Sequence, residues 1–130
     1  MNLVVDSSIL IDHLRGGSAW EKVLSKSEKE LSLFIPTIVI FELFAGQSSR
    51  DPSILIKIHQ ILANFQRIEL DERIAKTAGE LFRDFDKHIQ FQDYIIAASA
   101  LSMNAQVVTL NTKHFEKISG IEVFNLKLGS

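Results

Sequence analysis

The chain has 130 residues, of which 46% are hydrophobic and 23% are charged, with only 6 glycines and 2 prolines. This composition predicts one globular domain over residues 1–130 and excludes disordered, collagen-like and low-complexity classes. Lys and Arg number 14 against 16 Asp and Glu, a net charge of −2, which argues against nucleic-acid binding through bulk positive charge. Cysteine is absent, so disulfides, a thiol nucleophile and thiolate metal sites are excluded.

The apolar runs are all shorter than the ~20 residues that cross a bilayer. The first residues include Asp6 and Asp12, which is unlike a secretory signal peptide. We therefore expect a cytoplasmic protein that makes no membrane contact.

Short apolar runs alternate with amphipathic helical patterns from one end of the chain to the other. In chain order, the patterns predict strand 3–5, helix 9–14, helix 18–24, strand 31–35, helix 37–45, helix 51–65, strand 67–70, helix 71–85, helix 94–103, strand 106–110, helix 112–118 and strand 122–125. This alternation favours an α/β fold with a largely parallel sheet. Such sheets bind ligands beyond the carboxyl ends of their strands, where the strand order reverses.

Several polar residues have a predicted structural role. Ser18 and Glu21 have the spacing of a capping box, and Asp71 stands where a helix cap is needed. Asn104 is suited to the left-handed backbone conformation that commonly ends a helix. Asp12 is interpreted as a surface acid.

Three other acids occur where charge is unexpected. Asp6 follows the first strand, Glu42 interrupts an apolar helix, and Asp93 heads a helix that is apolar nearly all round. Asp6 could instead be a helix N-cap, Asp93 an N-cap or a first-turn acid, and Glu42 an outer-edge residue or part of a structural salt bridge. A buried carboxylate needs a partner or a shifted pKa.

If the three acids converge, their mutual repulsion requires compensation. Two carboxylates ~4 Å apart repel by about 4 kcal/mol at an effective dielectric constant of 20, and no buried Arg or Lys lies nearby in the sequence. A hard divalent cation such as Mg²⁺ or Mn²⁺ suits all-oxygen ligands. Such an ion activates water for attack on phosphorus without a nucleophilic side chain.

Four segments together resemble the motifs of PIN domains. They are residues 4–12, 36–46, 93–100 and 107–115, which occur in the family's order and spacing over nearly the whole chain. The segment Glu-Leu-Phe-Ala-Gly at 42–46 is most similar to VapC toxins of type II toxin–antitoxin modules.

The resemblance implies a three-layer fold in which helices cover both faces of a parallel five-stranded sheet of order 3-2-1-4-5. It also implies a Mg²⁺- or Mn²⁺-dependent endoribonuclease that cuts tRNA or rRNA with a metal-activated water. The implied partners are a cognate antitoxin that blocks the groove and a second copy of the chain in a homodimer.

The resemblance assigns Asp6, Glu42 and Asp93 as metal ligands and adds Asn111 to the catalytic residues. Many PIN domains have an aspartate where this chain has Asn111, so we expect one firmly held ion rather than two. Ser7 and Thr109 are candidates to support the site, with helix capping and strand-end packing as the alternative roles.

Basic residues near these segments are candidate contacts to RNA phosphates, although each is also compatible with an ordinary solvated surface. The candidates are Arg15, Arg50, Lys87 and Lys113, with Lys113 the best placed. The four histidines, at 13, 59, 88 and 114, show no metal-ligand spacing, and no catalytic role is predicted for them.

Two other functions compete with the nuclease. A catalytically silent PIN-like domain that binds RNA or protein would fit the uncharged Asn111. A receiver-type phosphoacceptor domain expects an adjacent acidic pair after the first strand, where this chain has Ser7 and Ser8, and is therefore disfavoured.

Overall fold

A computed structural model describes residues 1–26, 30–85 and 88–126 of the chain. In chain order its elements are β1 (Asn2–Val5), α1 (Ser7–Leu14), α2 (Ala19–Lys26), β2 (Ser32–Pro36), α3 (Thr37–Ala45), a 3₁₀ turn (Gln47–Arg50), α4 (Pro52–Leu62), β3 (Gln66–Ile68), α5 (Glu72–Asp84), α6 (Phe91–Ser102), β4 (Gln106–Val108) and α7 (Thr112–Glu116). Lys87, a predicted phosphate contact, lies outside the described residues.

The four strands form one parallel sheet in the order β3-β2-β1-β4. Val4 of β1 lies opposite Phe34 of β2 on one side and Val107 of β4 on the other. The apolar residues of β1 are fully buried, as expected for a central strand covered on both faces. The chain leaves β1 toward β2, whereas β4 pairs on the opposite side, so the strand order reverses between the ends of β1 and β4.

The prediction of a fifth strand over 122–125 is wrong. This segment forms a single parallel bridge, between Val107 and Val123. Beyond that bridge, the amide of Leu110 donates to Ser8 Oγ and the amide of Asn111 donates to Thr109 Oγ1, each at 2.9 Å. Pairing with residues 122–125 is confined to Val107, whose amide donates to the Glu122 carbonyl and whose carbonyl accepts from the Phe124 amide, and β4 itself ends at Val108.

Asp71 and Asn104 end or begin helices as predicted, and Asp12 adds a cap that was not predicted. Asp71 Oδ1 accepts a hydrogen bond from the Ile74 amide at 2.9 Å, and Asn104 has the left-handed φ of 49°. The helix α2 begins at Ala19, in agreement with the capping-box spacing, and its first amide donates to Asp12 Oδ2 at 3.0 Å. Asp12 is half-buried and caps a helix, so its interpretation as a surface acid is wrong.

Several boundaries differ from the predicted ones. The helix α6 starts at Phe91 rather than at Tyr94, which places Asp93 in the first turn with Gln90 at the N-cap. The strand β4 stops at Val108 rather than at residue 110. Within the described ranges, no helix combines the length and apolarity needed to span a membrane.

Candidate active site

Asp6 lies at the switch point of the sheet, between β1 and α1. It occupies the N-cap position of α1, but its carboxylate makes no capping hydrogen bond, so the cap alternative is wrong. Oδ2 accepts instead from Thr109 Oγ1 at 2.6 Å and from Ser8 Oγ at 3.1 Å, and Oδ1 accepts from Ser7 Oγ at 3.3 Å. Asp6 is only 3% exposed, and a buried carboxylate requires such donors.

The hydroxyls of Ser8 and Thr109 are oriented by backbone amides. Ser8 Oγ accepts from the amide of Leu110, and Thr109 Oγ1 accepts from the amide of Asn111. Each hydroxyl has one hydrogen to donate, and both hydroxyls direct it to Oδ2 of Asp6. Ser8 was not among the predicted site residues; its position two residues after Asp6, at the start of α1, is the signal that would have indicated it.

Glu42 reaches the same region from α3. Its side chain is half-buried, and within the described parts of the chain Oε1 is buried without a hydrogen-bond partner. Burial, followed by the charge of Asp6, raises the pKa of Glu42 from 4.5 to about 7; Asp93 adds to the rise and a hydrogen bond with Ser7 opposes it. Glu42 is therefore half-buried within electrostatic range of the other two acids, and the outer-edge alternative is wrong.

Asp93 approaches from the first turn of α6, with 15% of its side chain exposed. Burial, followed by the charge of Asp6, raises the pKa of Asp93, and His114 opposes the rise. His114 Nδ1 lies 3.1 Å from Asp93 Oδ2. Sequence reasoning missed this contact, although His114 follows Asn111, the N-cap of α7, by three residues and so lies on the same face of that helix.

The three carboxylates are thus electrostatic neighbours, since Asp6 raises the pKa of both Glu42 and Asp93. They do not form a closed metal shell: among residues 1–26, 30–85 and 88–126, no three Asp, Glu or His side chains are arranged to hold a metal. The candidate ligand atoms are nevertheless all oxygens, and Glu42 Oε1 has no hydrogen-bond partner among the residues that the structure describes. These features fit a divalent cation that retains several of its own waters.

The other predicted site residues differ in how closely the structure associates them with the three acids. Ser7 is buried, donates to Asp6 Oδ1 and lies close enough to Glu42 to lower the pKa of that carboxyl. Asn111 is exposed at the N-cap of α7, and its side chain does not cap that helix. Arg15 is exposed and lines a groove of about 220 Å³ together with Glu42, whereas Lys113 is exposed on α7.

Comparison with known proteins identifies the family. Residues 3–121 match the PIN domain. The chain belongs to the PIN domain family. It is 34% identical to Ribonuclease VapC10 of Mycobacterium tuberculosis over 87% of this chain and 85% of that protein. It is 30% identical to Ribonuclease VapC19 of the same organism over 86% of this chain and 90% of that protein.

Solved structures confirm the α/β fold. VapBC2 from Rickettsia felis, bound to a DNA fragment from its promoter, gives a TM-score of 0.82 at 24% identity, covering 96% of this chain and 98% of that one. VapBC-1 from nontypeable Haemophilus influenzae gives a TM-score of 0.77 at 22% identity, covering 97% of this chain and 98% of that one. At these identities the likeness establishes the fold of the PIN domain.

Proposed function

We propose that this PIN domain protein is an endoribonuclease and the toxin of a toxin–antitoxin module. The observation that carries the proposal is the electrostatic proximity of three acids: the charge of Asp6, at the switch point of the sheet, raises the pKa of both Glu42 and Asp93. The relatives named as VapC ribonucleases support the same activity.

We propose Mg²⁺ or Mn²⁺ as the cofactor, held by Asp6, Glu42 and Asp93. A divalent ion there would neutralise the mutual repulsion of the acids, polarise a phosphate and lower the pKa of a coordinated water. Asn111 adds an amide without charge beside this region, which favours one ion over two. Ser7, Ser8 and Thr109 orient Asp6 through their hydroxyl groups.

The remaining residues support substrate binding. Arg15 lines the groove that includes Glu42, and Lys113 is exposed two residues after Asn111. We propose that both cations contact the phosphate backbone of the RNA. We propose tRNA or rRNA as the substrate class, as the resemblance to VapC toxins implies.

We also propose a cognate antitoxin as the partner and a homodimer as the assembly. The antitoxin is supported by solved toxin–antitoxin complexes of the same fold, including that of Klebsiella pneumoniae with a TM-score of 0.77. Exposed large apolar side chains, among them Phe41 at 61% and Phe91 at 57%, provide surface for protein contacts.

Cleavage of a panel of RNAs with Mn²⁺ tests the proposal. Wild type is expected to cut at least one structured RNA, and Asp6→Asn, which keeps the shape but removes the charge, is expected to lose more than 100-fold in rate. Asp84→Asn, an exposed acid on α5, is the matched control and should cut normally. Equal cleavage by wild type and Asp6→Asn would indicate a contaminant, and RNA binding without cleavage would favour the catalytically silent alternative.

A further inference from the structure

Two of the three carboxylates are held by one short segment, residues 109–114. Thr109 donates to Asp6 Oδ2 at 2.6 Å, and His114, five residues later, lies 3.1 Å from Asp93 Oδ2. Between them, the amide of Asn111 donates to Thr109 Oγ1, and the amide of His114 donates to the Asn111 carbonyl at 3.1 Å. Asp6 and Asp93 are thus both held by side chains of one segment, whose own backbone is fixed by two further hydrogen bonds.

The contact of His114 constrains both its own ring and the carboxylate. An ionised carboxylate only accepts hydrogen bonds, so Nδ1 of His114 must carry the hydrogen when Asp93 is ionised. The ring bonds to Oδ2 and leaves Oδ1 of Asp93 outside that contact. The His114 side chain is 48% exposed, whereas that of Asp93 is 15% exposed, so the imidazole is the more solvent-exposed partner of the pair.

We propose that His114 is a positioning residue, which fixes the rotamer of Asp93 through an Nδ1–H···Oδ2 hydrogen bond so that Oδ1 is available as a cation ligand. This inference rests on the proposed cation site. It also accounts for the uncharged Asn111: the segment after β4 organises the site through hydrogen bonds to two acids rather than by adding a fourth acid. Removing a residue that hydrogen-bonds to a metal ligand typically lowers metal affinity by about 10- to 100-fold.

Conservative replacements of His114 test the role. The amide nitrogen of asparagine replaces Nδ1 of histidine, whereas that of glutamine replaces Nε2. His114→Asn should therefore retain Mn²⁺ affinity within about threefold, and His114→Gln and His114→Ala should each lose about 10-fold or more. Mn²⁺ affinity is measured from the electron paramagnetic resonance signal of the free ion, and circular dichroism checks folding. His59→Asn, an exposed histidine on α4, is the control and should bind as wild type does.

The metal-free protein provides a second readout. Nitrogen-15 imidazole spectra at neutral pH should show His114 with its hydrogen on Nδ1, and Asp93→Ala should return it to the Nε2–H form that free histidine prefers. An Nε2–H form in wild type, or equal Mn²⁺ affinity for all three His114 variants, would overturn the inference and leave the proposed function standing. Failure of wild type to bind Mn²⁺ would overturn both.

Discussion

Replacing Glu42 by glutamine should stabilise the metal-free protein above neutral pH. Burial and the neighbouring charge of Asp6 raise the pKa of Glu42 from 4.5 to about 7. Because its pKa is higher in the folded state, the folded protein binds the proton more tightly than the unfolded chain does. Wild type therefore loses stability as the pH rises from 4.5 to 7, and Glu42→Gln, which cannot ionise, does not.

The size of the stabilisation by Glu42→Gln follows from the same difference in pKa between the folded and unfolded states. At about 1.4 kcal/mol for each tenfold change in the binding constant, the rise would amount to roughly 3 kcal/mol for a fully buried group. Glu42 is half-buried, so solvent screens part of this penalty, and we expect Glu42→Gln to gain about 1–2 kcal/mol at pH 8. The gain should be much smaller at pH 5 and vanish below 4.5.

Urea denaturation in the presence of a chelator measures this effect at pH 5 and pH 8. The exposed Glu80 on α5 provides a matched replacement, Glu80→Gln, that removes the same charge without relieving a buried site. If Glu42→Gln shows the same stability difference from wild type at both pH values, the account of crowded carboxylates is wrong.

Three packing and hydrogen-bond predictions follow from the same structure. Gly17→Ala should lower the free energy of unfolding by about 1 kcal/mol, because a Cβ there would meet the Asp12 carboxylate and displace the cap of α2. Gly79→Ala on α5 should raise it by about 0.5–1 kcal/mol, because a Cβ there meets open space and alanine favours the helix. Equal effects of the two replacements in thermal unfolding would contradict this. Thr109→Val should cost about 1–3 kcal/mol because it removes a donor to buried Asp6, and Thr109→Ser should recover most of that loss; a Val variant as stable as Ser would show that the hydroxyl is unimportant.

The position of the acids could be predicted from the sequence because each depends on local pattern. Asp6 follows an apolar strand, and the carboxyl ends of parallel strands share one edge of the sheet. Glu42 interrupts a helix that is otherwise apolar on nearly every face, so a carboxylate at this position is expected to be partly buried. Family membership, predicted from four motifs, is confirmed. The metal and the role of each site residue stay predictions.

The remaining features depend on contacts between distant segments. The expected fifth strand fails because β4 ends at Val108 and its pairing with residues 122–125 stops at the bridge between Val107 and Val123, which no periodicity in residues 122–125 reveals. The partnership of His114 with Asp93 requires α7 to pack beside the first turn of α6. The capping of α2 by Asp12 requires a turn through Gly17.

The central claim is that Asp6, Glu42 and Asp93 share one divalent cation. Thermal unfolding with and without millimolar Mn²⁺ tests it most directly, since an ion that binds only the folded state raises the melting temperature. Wild type and the exposed-acid control Asp84→Ala should both gain, and Asp93→Ala should not. A shift of similar size in Asp93→Ala would place the ion elsewhere and contradict the account.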